Sequence, residues 1–157
     1  MNVWAAIRGD GKVIFKILDG KQDGKKYIKM LEEKFVEMDM ENSFLHQDGA
    51  KHHWSAYATS WINDNWKDRW IGLKSPRLSW PPLSMDLTPM DFSFWNYMKR
   101  KVAALEPTTT EELETSINLA MNSIDINKII NMCKGVKRRC QLCIKQNGGR
   151  FEVGDEE

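Results

Sequence analysis

The chain has 157 residues, 41% of them hydrophobic and 29% charged, and a net charge of +1. That length allows one domain with a real core; the balance is that of an ordinary globular protein and excludes a disordered or fibrous chain, and the near-neutral total singles out no partner. Three cysteines crowd between positions 133 and 143, a poor disulfide framework that fits a reducing compartment, while no apolar run approaches a membrane span and the first residues lack the pattern of a signal peptide.

Two apolar runs, 3–7 and 13–18, flank Gly9-Asp10-Gly11 and read as a β-hairpin. A helix follows at 25–38, where Tyr27, Leu31, Phe35 and Met38 share one face. A brief strand at 43–47 ends at Asp48-Gly49. The next helix, 54–65, turns Tyr57, Ala58, Trp61 and Ile62 inward. Trp54, Trp61, Trp66 and Trp70 would make a stacking surface for bases, but the helical spacing favours packing. Extended pieces are expected at 69–72 and 78–80, and Pro81-Pro82 forces an extended connector. Thr88-Pro89 opens a helix as N-cap and first-turn proline, with Phe94, Trp95, Met98, Val102 and Leu105 as its apolar stripe. Thr109 and Glu112 stand at capping-box spacing before a helix that buries Leu113, Ile117, Ala120, Met121 and Ile124. A last helix runs from 125 to 145, and Gly148-Gly149 ends regular structure.

Strand, strand, helix, strand, helix, strand, helix and a helical tail predict an α/β domain with a mixed sheet flanked by helices. It is the order of an RNase H-like sheet lacking its first strand. Residues 1–105 are read as that truncated domain and 106–157 as its helical C-terminal extension.

The chemistry rests on carboxylates. Two-metal phosphoryl transfer needs hard oxygen ligands, one or two carboxylates for each Mg²⁺, converging from different elements. Asp48, at a strand end, and Asp91, in a first helical turn, fit that need. Each also has a plainer explanation. The chain has four Asp-Gly pairs, at Asp10, Asp19, Asp23 and Asp48, of which the first three read as turns, and the helix dipole favours an acid at Asp91 anyway. His53 is either a contact to metal or substrate near Asp48 or a hydrogen-bonded structural histidine at the helix start. Cys133, Cys140 and Cys143 with His46, His52 and His53 invite zinc, but the cysteines lie on the apolar stripe of the last helix with Ile126, Ile129, Ile130, Val136 and Ile144, and burial is the better reading.

Motif order adds a resemblance. Gln47-Asp48-Gly49-Ala50 with His53 resembles the second-aspartate motif of mariner-type transposases. Trp80-Pro81, Ser84, Asp86-Leu87-Thr88-Pro89, Asp91-Phe92 and Trp95 resemble that family's third-acid motif. Val3-Trp4 with Gly9-Asp10-Gly11 resembles the preceding hairpin, and Val136 through Ile144 with Gly148, Gly149 and Phe151 the C-terminal end. Lys51-His52, Met85 and Arg150 depart from the family pattern. The resemblance implies a cut-and-paste DNA transposase with a three-acid RNase H-like site. Asp48 matches the second acid and Asp91 the third, as catalytic and metal-binding residues for Mg²⁺ or Mn²⁺, and Asp86 is read as structural. The first acid lies in the family on a strand before the hairpin, and Asp10, in a hairpin turn, points away from where it would be needed. The expectation is a fragment inactive alone. DNA is the implied partner, with Lys99, Arg100, Lys101, Arg138 and Arg139 as phosphate contacts. The nucleus is the implied compartment, and a homodimer stays open. The alternative is a non-catalytic nucleic-acid-binding or interaction module derived from a transposase.

Overall fold

The computed structural model of the chain describes residues 1–36, 42–81 and 83–151. It divides into two units. Met1–Trp4 with Ile14–Ser84 form the first; Ala5–Val13 with the chain from Met85 onward form the second.

Strands β1 (Asn2–Ile7) and β2 (Val13–Leu18) pair as the expected hairpin. The Arg8 amide donates to the Lys12 carbonyl and the Gly11 amide to the Arg8 carbonyl, both at 2.9 Å. Gly11 has a φ of +95°, and a Cβ there would stand 2.3 Å from Ile126 Cγ2, so backbone and space both require glycine.

In the first unit, α1 (Gly24–Phe35) starts on Asp23, whose Oδ1 accepts from the Lys25 and Lys26 amides. Asp23-Gly24 is therefore a helix cap, not the plain turn expected. Glycine follows because a Cβ there would meet Ser55 Oγ at 2.0 Å. Ser55 caps α2 (Ala56–Asn65) by accepting from the Ala58 amide. β3 (Leu45–His46) and β4 (Trp70–Ile71) pair in parallel, Leu45 against Trp70 and His46 against Ile71. Parallel neighbours need a crossover, and α2 lies in it. The core of the unit is Ile14, Ile28, Leu31, Phe35, Ala58, Ile62, Trp66 and Trp70. Phe35 meets Trp4 and Trp66 edge-on at 6.0 and 4.8 Å. Burial of Trp66 and Trp70 agrees with the packing role. Tyr57 is a correction: it is 52% exposed, because the face that buries Ala58 and Ile62 is too narrow to include it. Met38 and Pro82 lie outside the described residues.

In the second unit, a 3₁₀ turn (Met85–Leu87) leads to a π-helical turn (Met90–Phe94) and then α3 (Trp95–Ala103). Thr88 is not the N-cap. The Thr88 carbonyl instead accepts from the Asp91 and Phe92 amides at 2.9 and 3.0 Å, and the Trp95 amide reaches back to the Met90 carbonyl. α4 (Thr110–Asn122) carries the expected capping box of Thr109 and Glu112, and α5 (Ile126–Lys145) is capped by Asp125. Leu87, Phe94, Met98, Ile117, Ala120, Met121, Ile129 and Met132 are buried. Leu105, Ile126 and Ile144, expected on apolar stripes, are exposed, since they flank the packed face or lie at helix ends. The three cysteines are free and half-buried. Among the described residues no helix is long and apolar enough to cross a membrane, and the strands form two two-stranded sheets.

Candidate active site

Asp48 is placed by the parallel pair beneath it. The Gln47 amide donates to the Ile71 carbonyl at 3.0 Å, the last rung before the chain leaves the sheet. Gln47 is buried, and its Oε1 accepts from the Tyr27 hydroxyl at 2.6 Å. Its Nε2 reaches the His53 carbonyl at 3.5 Å. The loop between is closed on itself. The His53 amide donates to the Ala50 carbonyl at 2.9 Å, and Trp54 Nε1 donates to the Gly49 carbonyl at 3.0 Å. Tyr27 of α1 thus holds both ends of the loop that carries Asp48.

Within this loop, Asp48 Oδ1 accepts from the Ala50 amide at 3.0 Å. His53 Nδ1 lies 2.7 Å from the same oxygen, at ion-pair distance but off the axis of a regular hydrogen bond. Oδ2 makes no hydrogen bond among the described residues. The His53 imidazole, helped by the Ala50 amide and His52 and opposed by partial burial, brings the Asp48 carboxyl down to about 2. Asp48 is therefore a carboxylate at any ordinary pH, with one oxygen tied and one available.

The surrounding aromatics are close-packed. Tyr27 lies 4.5 Å from the His53 ring and 5.2 Å from His52, and His46 lies 4.1 Å from Trp80. Burial pushes the His46 and His52 imidazoles below their usual range, with the Asp48 charge opposing. Burial, and then Asp48, pushes the Tyr27 phenol up, so Tyr27 remains a donor. His53 therefore contacts Asp48 itself. The five-residue spacing from Asp48 to His53 was legible only as part of the motif, and the roles of Tyr27 and Gln47 had no local signal.

Asp91 lies exposed in the π-helical turn, and such turns recur at functional sites. Asp86 is exposed in the preceding 3₁₀ turn. Its carbonyl accepts from Arg139 Nη1 at 3.0 Å, and the Arg139 guanidinium stacks 4.0 Å from the Phe92 ring centroid. Arg139 therefore braces the turns on both sides of Asp91. Lys101 is likewise engaged: its Nζ donates to the Ser123 carbonyl and hydroxyl at 3.0 and 2.9 Å, at the end of α4. Lys99, Arg100 and Arg138 are exposed. Asp10 is held by Arg8 through hydrogen bonds of 2.9 and 2.5 Å, which lower its carboxyl to about 2.

Asp48 belongs to the first unit and Asp91 to the second. Among the described residues no three His, Cys, Asp or Glu side chains are grouped to hold a metal ion. The thiols of Cys133 and Cys140 are raised by burial, away from the thiolate form that zinc requires.

No protein-family model matches the chain, and no curated protein sequence matches it. Solved structures do. The Mos1 transposase catalytic domain with raltegravir and magnesium aligns with a TM-score of 0.74 and 15% identity, over 96% of this chain and 76% of that one. The same domain with raltegravir and manganese gives 0.71 and 14%, over 96% and 76%. The crystal structure of the catalytic domain of Mos1 mariner transposase gives 0.73 and 15%, over 96% and 75%. The chain thus carries the RNase H-like α/β fold of the Mos1 transposase catalytic domain.

Proposed function

We propose that the chain is a DNA-cleaving and strand-joining domain of the cut-and-paste transposase type, with Asp48 and Asp91 as carboxylates that take Mg²⁺ or Mn²⁺. The observation that carries this is the state of Asp48: ionised, fixed by its loop, and with Oδ2 left available. Hard oxygen donors of this kind suit either ion. The solved relatives in fold support the choice, since the Mos1 catalytic domain has been seen with both magnesium and manganese. A bound divalent ion supplies polarisation of the scissile phosphate and a lowered pKa for the attacking oxygen.

The chain's own residues do the rest. His53 and the Ala50 amide fix one oxygen of Asp48. Tyr27 and Gln47 hold the loop. The π-helical turn, braced by Arg139, presents Asp91. DNA is the partner, with Lys99, Arg100 and Arg138 as phosphate contacts, and the nucleus is the compartment. In this reading Asp48 and Asp91 are two of three acids, and Asp10, taken by Arg8, does not act as another. Residues that act as a unit lose most of their catalysis together. The 157-residue polypeptide by itself is therefore expected to bind the ion and to catalyse no strand transfer.

The test is Mn²⁺ binding by the 157-residue chain, read by electron paramagnetic resonance, together with cleavage of a DNA duplex. Asp48→Asn and Asp91→Asn are each expected to weaken Mn²⁺ binding by roughly tenfold or more, since each ion takes only one or two carboxylates. Unchanged binding in both variants overturns the assignment. Strand transfer by the isolated chain overturns its inactivity. A second reading, a DNA-binding module without catalysis, is favoured by one observation: α5 carries six basic residues and no acid. DNA binding with no Mn²⁺ binding at all would select it.

A further inference from the structure

We propose that the outward stripe of α5, formed by Lys134, Lys137, Arg138, Gln141 and Lys145, is a docking surface for the phosphate backbone of duplex DNA. This deepens the DNA reading above and rests on it for the choice of polyanion. Charge is segregated between the two last helices. The twenty residues of α5 include Lys128, Lys134, Lys137, Arg138, Arg139 and Lys145 and no acid, whereas α4 carries Glu111, Glu112 and Glu114 and no base. A helix face that merely meets water gains from interleaved signs, which support one another three and four residues apart. α5 forgoes that gain along its whole length.

At 3.6 residues per turn, Lys134, Lys137, Arg138, Gln141 and Lys145 fall within an arc of about 100°. All five are exposed. Ile129 and Met132, the buried residues of the helix, lie on the opposite face. Lys134 and Lys145 are about 16 Å apart along the axis, a length over which duplex DNA presents about ten phosphate charges. Lys145 alone would be explained by the negative end of the helix dipole; Lys134 and Lys137, in mid-helix, have no such explanation.

Two other cations of the helix are engaged within the fold. Arg139 is committed to the Asp86 carbonyl and the Phe92 ring. Lys128 lies 5.1 Å from the Tyr97 ring centroid. Lys134, Lys137 and Lys145 form no hydrogen bond or ion pair among the described residues. Arg139 and Lys128 are structural, whereas Lys134, Lys137 and Lys145 are free for an anion.

The experiment is fluorescence anisotropy of a labelled duplex of arbitrary sequence, about three helical turns long, with the 157-residue chain and no divalent ion, across a range of KCl concentrations. Replacing Lys134, Lys137 and Lys145 together by Gln removes three phosphate contacts. The slope of log K against log salt is expected to fall by about 2.7, and affinity near 0.1 M salt on the order of a hundredfold. A control triple of equal charge change, Lys21→Gln, Lys25→Gln and Lys67→Gln on the first unit, is expected to leave the slope nearly unchanged. These lysines are exposed, so an unchanged melting temperature confirms that both triples fold. If the stripe triple loses no more than the control, the inference falls while the DNA reading stands. If the wild-type chain binds no duplex, both fall. Competition by poly-glutamate as strong as by unlabelled duplex also overturns DNA as the occupant.

Discussion

Removing one hydroxyl from Tyr27 tests how Asp48 is held. Tyr27 and Gln47 are 4% and 6% exposed, and the Tyr27 hydroxyl donates to Gln47 Oε1 at 2.6 Å. Tyr27→Phe keeps the ring and its contacts with His52 and His53. What it strands is the Gln47 oxygen, buried and without its donor. Such a group costs about 1–3 kcal/mol, and the weak 3.5 Å contact of Nε2 with the His53 carbonyl offers the oxygen nothing. A loss of about 2 kcal/mol corresponds to a fall in Tm of about 4–8 °C for a chain of this size. Urea unfolding followed by circular dichroism measures it. The diagnostic variant is the double one. Tyr27→Phe with Gln47→Leu removes donor and acceptor together, so it is expected to cost less than the sum of the single changes by about 1 kcal/mol or more. Mn²⁺ affinity is expected to fall in Tyr27→Phe, because Gln47 and His53 flank Asp48. A Tyr27→Phe variant within about 0.5 kcal/mol of wild type, or costs that simply add, would refute the reasoning.

Two further outcomes follow from the charges. Asp48 titrates at about 2 in the folded protein against about 3.9 unfolded; its contribution to stability is complete above about pH 4 and is lost as pH falls through about 2. Asp48→Asn is therefore expected to flatten the acid limb of urea midpoints between pH 4 and 2, and an unchanged limb would remove His53 and the Ala50 amide as its cause. Arg139→Lys is expected to lose about 1–2 kcal/mol, since lysine reproduces neither the planar stack on Phe92 nor the directed bond to the Asp86 carbonyl. Lys137→Gln, two positions away on the exposed face, is expected to stay within about 0.5 kcal/mol, and equal effects of the two in urea unfolding would argue against the brace.

Local chemistry made much of the fold readable. Thr109 and Glu112 form a capping box wherever the backbone turns into a helix, because both partners lie within four residues. The hairpin, α2 and α5 begin or end where their turn and cap residues stand. Coverage was not readable. Periodicity says which residues share a face, but Leu105, Ile126 and Ile144 stay exposed on the faces they share. Asp23-Gly24 and Asp48-Gly49 are the same dipeptide, and only tertiary packing makes one a helix cap against Ser55 and the other a loop off a strand.

The same limit governs the site. Asp48 could be singled out by its motif, yet the loop that carries it is held by Tyr27, twenty-one residues earlier on another element. Lys99 and Lys101 are two residues apart on one helix and look alike in sequence. The end of α4 claims Lys101 through Ser123 and leaves Lys99 in water. Arg138 and Arg139 are adjacent, but one step of 100° turns Arg139 onto Phe92 and the Asp86 carbonyl while Arg138 faces outward. A run of basic residues therefore states only how much charge a helix carries. Which of those charges a phosphate can reach depends on the neighbours that have already taken the rest, and on α5 that leaves the face bearing Lys134, Lys137 and Lys145.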